Sequence, residues 1–239
     1  MPLLEVADLS KEFGGLRALS HLSFGVETGE ILGLIGPNGA GKTTVFNLIT
    51  GFLRPNGGEI RLEGSSLVGL KPHAVTRRGI ARTFQIVKPF PKLTVTENVT
   101  LAAFVRVAAR REAEAEARRL LELVGLSGKR EIPASDLTLA EQKRLEMARA
   151  LATRPRFLLL DEPMGGLNPR EVAEASGLVS RIRDSGVGVV LVEHVMKAIM
   201  RISQRVVVIH HGEKIAEGPP EQVVQDAGVI TAYLGRRGA

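Results

Sequence analysis

Nine consecutive residues, Gly36 to Thr44, carry the strongest chemical signal in the sequence. Gly36-Pro37-Asn38-Gly39-Ala40-Gly41-Lys42-Thr43 fits the spacing G-x-x-x-x-G-K-[ST]. Its glycines let backbone N–H groups turn inward around a phosphate, and a helix opening at the lysine brings the positive end of its dipole to the same point. Lys42 is the point charge for β- and γ-phosphates, Thr43 offers a hydroxyl to Mg²⁺, which takes oxygen ligands, and Thr44 extends the candidate site. Such a cradle serves kinases, GTPases and ATPases alike, so by itself it names no reaction.

A second group lies far along the chain. Phe157-Leu158-Leu159-Leu160-Asp161-Glu162 is an apolar run ending in two carboxylates, which places Asp161 near a phosphate-bound metal and Glu162 just beyond it. Asp161 would hold Mg²⁺ through its water shell, and Glu162 would polarise an attacking water as general base.

The elements that must position these residues are read from periodicity. Glu30 to Ile35 is a short apolar run before the glycine-rich loop, and Lys42 to Thr50 continues with helical spacing of Val45, Leu48 and Ile49. Arg156–Asp161, Gly188–Glu193 and Arg205–Ile209 are further buried-strand runs with helical segments between the first pairs, which predicts a mainly parallel sheet. Leu22–Glu27 and Glu59–Glu63 are short alternating segments that suit a small antiparallel flank. Val206–Ile209 and Lys214–Glu217 read as a hairpin. From Thr94 to Ala152 the pattern turns helical, and Ala109–Val124 shows a charged face opposite Leu120, Leu121 and Val124, as a solvated helix would.

Composition narrows the classes. A chain of 239 residues with 44% hydrophobic residues can bury a large core, and the absence of cysteine removes disulfides and thiolate metal sites. Glu5 and Asp8 near the start do not suit a secretion signal, and the densest apolar runs fall far short of the roughly 20 residues that span a bilayer, so a membrane role is expected to be peripheral. The net charge of +6 could suit nucleic acid, but aromatics at 4% argue against a stacking platform for single strands.

With its motifs in this order, the chain resembles the nucleotide-binding subunits of ATP-binding-cassette transporters over nearly its whole length. The resemblance implies a P-loop NTPase (RecA-like) α/β core with an antiparallel β flank and an inserted α-helical subdomain, binding ATP and Mg²⁺. Segments 1–85 and 153–217 would form the ATP-binding core, 86–152 the helical subdomain and 218–239 a helical tail. Gln85, in Ala81-Arg-Thr-Phe-Gln85, falls where the family has the glutamine that senses Mg²⁺ and water and meets the transmembrane partner. His194 falls at the switch histidine that hydrogen-bonds the γ-phosphate. Taken singly, Gln85 reads as a surface glutamine and His194 as a strand-end histidine; order and spacing assign them. Phe13 matches the aromatic that stacks on adenine, and Gly166-Leu167-Asn168-Pro169 the dimer-contact loop, with Asn168 where many members carry Asp.

The signature segment departs from the family. Leu-Ser-Gly-Gly-Gln is replaced by Leu137-Thr138-Leu139-Ala140-Glu141, which keeps a hydroxyl at Thr138 and the helix N-terminus but loses both glycines. Thr138 and Ala140 remain the residues expected to face ATP held by a second ATPase subunit. The segments Ala81–Asn98, Asn168–Glu171, Glu193–Met200 and Ala232–Gly235 are similar to the ATPase subunits of branched-chain amino-acid importers. Such systems hold two unlike ATPase subunits at the cytoplasmic face of the inner membrane, paired with two transmembrane permeases and served by an external substrate-binding protein; pairing of this chain with a second copy of itself is the alternative. Relatives that energise urea or amide import or lipopolysaccharide export share much of this text. A nucleic-acid-associated ATPase of the same class would insert a long coiled coil or carry two cassettes, and neither fits, so no nucleic-acid partner is expected.

Overall fold

The computed structural model describes residues 3–234; the end of the expected tail, Gly235 included, lies outside the described residues. Two sheets share the molecule. The larger has six strands in the order β10-β9-β3-β8-β7-β6, formed by β3 (Ile31–Ile35), β6 (Ile80–Arg82), β7 (Phe157–Asp161), β8 (Gly188–Val192), β9 (Arg205–His210) and β10 (Glu213–Gly218). Its strands run parallel except β10, which pairs antiparallel with β9 as the expected hairpin. The smaller sheet is antiparallel, in the order β2-β1-β4-β5, from β1 (Leu4–Phe13), β2 (Leu16–Val26), β4 (Gly57–Leu62) and β5 (Ser65–Ser66). The turn Gly14-Gly15 joins β1 to β2 with positive φ at both residues, the geometry that matches strand twist in a two-residue hairpin.

The parallel strands are buried throughout, and successive side chains serve opposite faces. Leu32, Leu34, Leu159, Val190, Val207 and Ile209 share a core with the antiparallel sheet, helix α1 (Lys42–Ile49) and Val75, whereas Ile31, Ile35, Leu158, Leu160, Val189 and Val206 share one with the helices that follow residue 94. Phe46 of α1 is wholly buried in the first of these cores, and burying a side chain of that size contributes about 1.5–3 kcal/mol.

The helical block comprises α3 (Val95–Ala103), α4 (Arg110–Leu123) and α5 (Leu139–Ala152), preceded in the chain by α2 (Pro72–Arg78). Thr94 with Glu97 and Thr138 with Glu141 form reciprocal capping boxes that fix where α3 and α5 begin. On α4 the buried face is Ala113, Ala117, Leu120 and Leu121, while Arg110 and Glu114 pair at 2.7 Å on the solvated side. Helices α6 (Pro169–Asp184) and α7 (Met196–Ile202) bracket β8, and α8 (Pro220–Val223) and α9 (Ala227–Leu234) follow β10. The C-terminal ends of β3, β6, β7 and β8 converge, and in open α/β sheets this is where ligands bind.

Candidate functional site

The loop after β3 wraps tightly because its first glycine leaves no room for a side chain. A Cβ at Gly36 would lie 2.1 Å from the Ile209 carbonyl oxygen of the neighbouring strand. Lys42, at the first position of α1, turns back and donates to the carbonyls of Gly36 (2.6 Å) and Pro37 (2.9 Å). Burial lowers its pKa, while the negative charges of Glu162 and Asp161 act in the opposite sense. Asn38, Gly39, Ala40, Gly41, Lys42, Thr43 and Thr44 line a cavity of about 660 Å³, whose lining does not include Gly36 and Pro37.

Across that cavity stand Gln85, Glu162 and His194, which three different strand ends deliver. Glu162 accepts from Gln85 Nε2 at 3.1 Å through Oε2, and its Oε1 lies 2.8 Å from His194 Nε2. Contact between a carboxylate oxygen and a ring nitrogen at this distance requires one proton between them. Glu162 itself has φ +50, in the left-handed region that a side chain enters at a cost of about 1–2 kcal/mol.

Asp161 is held differently. Its Oδ2 accepts from Arg82 Nη2 at 2.8 Å, both side chains being 7% exposed, and Arg82 Nη1 also donates to Asn47 Oδ1 at 2.6 Å. The guanidinium lies over the rings of Phe46 and Phe84 at 5.3 and 5.0 Å. Thr43, Gln85 and Asp161 together border an adjoining cavity of about 670 Å³, and the first two border both cavities. A hydroxyl, a side-chain amide oxygen and a carboxylate are donors of the type Mg²⁺ takes, and among the described residues no cluster of three His, Cys, Asp or Glu competes for a softer metal.

Three expected residues stand elsewhere. Phe13 ends β1, 44% exposed and outside the cavity wall, with Lys11 Nζ 5.1 Å from its ring; its cross-strand partner Leu16 lines the cavity instead. Thr138 and Ala140 sit at the start of α5, outside the lining of this chain's own cavity. There Thr138 Oγ1 accepts from the Glu141 N–H, Ala140 is buried, and Leu139 is 48% exposed with its Cδ2 against Gly166.

Sequence reasoning passed over Arg82, Lys143, Glu146 and Glu193. Each is a charge that the fold buries or half-buries, and the polar neighbours of Arg82 and Lys143 in the sequence gave no local sign of it. Glu193 is 2% exposed and accepts from the N–H groups of Met164 (2.5 Å) and His194 (3.0 Å), tying the loop after β7 to the loop after β8. Burial raises its pKa, and raises that of Glu146 to about 7.

Comparison with known proteins shows the family. Residues 19–165 match the family model described as ABC transporter, and residues 213–239 match that described as branched-chain amino acid ATP-binding cassette transporter. The chain is 44% identical over 250 residues to the high-affinity branched-chain amino acid transport ATP-binding protein BraF of Pseudomonas aeruginosa, covering 98% of both. It is 42% identical to LivG of Escherichia coli K12, of the same description, and 35% identical to the lipopolysaccharide export system ATP-binding protein LptB of that organism, again with 98% of both covered. A crystal structure of the ADP conformation of an ATP-binding cassette of an ABC transporter superposes with a TM-score of 0.90 at 28% identity, over 99% of this chain and 100% of that one.

Proposed function

This chain belongs to the ABC transporter ATP-binding family, and from that premise we propose that it hydrolyses ATP to energise uptake of branched-chain amino acids. The observation that carries the enzymatic part is the meeting of Gln85, Glu162 and His194 over the Gly36–Thr44 loop. The N–H groups of that loop and the start of α1 bind the β- and γ-phosphates, and Lys42 exchanges its carbonyl partners for phosphate oxygens. Glu162 takes the proton of the attacking water, Gln85 orients that water, and His194 donates to the γ-phosphate. Thr43, Gln85 and Asp161 are the residues that would hold Mg²⁺, which when bound supplies charge neutralisation at the phosphates. Phe13, beside the Gly14-Gly15 turn, is the aromatic that would stack on adenine, and its cross-strand partner Leu16 lines the cavity.

In this family the ATPase works with transmembrane permease components, and no helix among the described residues is long and apolar enough to cross a membrane. The permease surface is the adjoining cavity, where Phe84, Ile86, Ala102 and Val105 give apolar walls and Lys88, Glu146 and Arg149 polar points. Two permeases and a second ATPase subunit, either unlike this chain or a second copy of it and met at the start of α5, complete the assembly at the cytoplasmic face of the membrane, with a substrate-binding protein on the outer side. Supporting the amino-acid specificity are the match at residues 213–239 and the identity to transport ATPases of that description.

Reconstitution with its permeases and binding protein in vesicles tests the reading. ATP-dependent leucine uptake is expected; an assembled complex that hydrolyses ATP yet moves only another class of solute would overturn the specificity and leave the ATPase standing.

A further inference from the structure

Helix α5 carries Lys143, a cation 6% exposed that lines neither cavity. A buried ammonium is costly unless its donors find partners, so the partner it takes is informative. Lys143 Nζ donates to the main-chain carbonyl of Glu162 at 2.6 Å. Asp161, Glu146, Glu162 and Glu193 are the acids around it, and their charges oppose the effect of burial on its pKa.

What it grips is a strained point. Glu162 has positive φ, and left-handed residues bearing a side chain persist only where their surroundings hold them. Three contacts hold this one: its N–H donates to Val192 O at 2.9 Å, its carbonyl accepts from Gly165 N–H at 3.2 Å, and the same carbonyl accepts from Lys143. Of these, Lys143 alone reaches in from outside the loops that carry the reacting groups. The turn at Glu162 is what swings its carboxylate toward Gln85 and His194 and away from Arg82, to which the preceding residue is bound.

We propose that Lys143 is a positioning residue for hydrolysis: its ammonium holds the Glu162 carbonyl, and with it the left-handed turn that aims the Glu162 carboxylate at the site of attack. The proposal rests on the reading of Glu162 as general base. It differs from a purely structural role, in which Lys143 would only neutralise Glu146 and Glu193 and its loss would lower stability without a selective effect on turnover.

The test uses the full chain with whichever subunits support wild-type turnover, and compares K143M, K143R, E162Q and the double variant E162Q/K143M. For K143M, turnover is expected to fall tenfold or more while MgATP affinity by calorimetry stays within twofold. K143R, which keeps a charged donor, is expected to recover most of that loss, and the double variant to be no slower than E162Q alone, as for two residues acting on one step. Should K143M fail to fold, K143Q is judged by the same two numbers. Turnover within twofold of wild type in the folded neutral variant, or a parallel loss of affinity and turnover, overturns the positioning role. If E162Q itself hydrolyses ATP at the wild-type rate, the general-base reading fails first; an inactive E162Q beside a fully active K143M removes the role of Lys143 alone.

Discussion

Arg82→Met removes the buried partner of Asp161 and leaves a carboxylate 7% exposed with no cation on its Oδ2. Breaking a buried ion pair from one side costs about 3–5 kcal/mol, because the desolvated charge that remains loses its direct partner, leaving Asp161 only the charges of Lys42 and Lys143, to which it makes no hydrogen bond. The Arg82 contacts to Asn47 and to the rings of Phe46 and Phe84 disappear as well, which adds to that loss. In a domain of this size each kcal/mol moves the melting midpoint by about 2–4 °C, so we predict a drop of about 6–20 °C for the nucleotide-free protein. Differential scanning calorimetry in Mg²⁺-free buffer reads it. Exchanging both residues, as R82M/D161M, removes the charge along with its partner and is predicted to be more stable than R82M alone. A midpoint for R82M within about 2 °C of wild type, or a double variant as unstable as the sum of the two singles, would refute the assignment of Arg82–Asp161 as a coupled buried pair.

Lys42→Ala is predicted to weaken MgATP binding by about ten- to a hundredfold, from loss of charge-assisted hydrogen bonds worth about 1.5–3 kcal/mol; undiminished affinity by calorimetry would contradict the cradle assignment. Burial raises the Glu146 pKa from 4.5 to about 7, so the folded chain holds a proton that the unfolded chain has lost. Stability therefore falls as pH rises from about 4.5 to about 7, and Glu146→Gln should gain on wild type across that window in paired thermal melts; a constant difference between the two would refute it. A crosslinker placed at Ile86, 71% exposed beside Gln85, is predicted to capture the permease, and capture only from β2 would contradict the coupling surface.

What was legible in the sequence follows from which signals are local. The loop from Gly36 to Thr43 could be read because its string lies between an apolar run and helical spacing, and the structure has β3 and α1 in those places. The buried strands at Phe157–Asp161, Gly188–Val192 and Arg205–His210 announced themselves as short apolar runs with no alternation, as strands covered on both faces do. Strand β1 was harder. Asp8 has positive φ and the pairing slips between Val6 and Leu9, so the alternation that marks a strand is broken midway. Arg82, Lys143, Glu146 and Glu193 escaped because each makes a contact that spans between 19 and 79 residues, and spacing along the chain carries no record of such contacts. Gln85 and His194 were reached only through the order of motifs, since one glutamine and one histidine have no periodicity of their own.

The hydrolytic role of the Asp161-Glu162 pair is tested most directly by Glu162→Gln, which keeps the shape of the side chain and an amide oxygen that can accept from Gln85 while removing its basicity. Loss of a general base typically costs about a hundredfold to ten-thousandfold in rate, and nothing in the phosphate-binding loop changes. We predict that turnover, measured with the partner subunit present, falls into that range while MgATP affinity stays within a few-fold, and that size-exclusion chromatography with ATP shows an accumulated dimer. Hydrolysis by E162Q at a rate near wild type would contradict it.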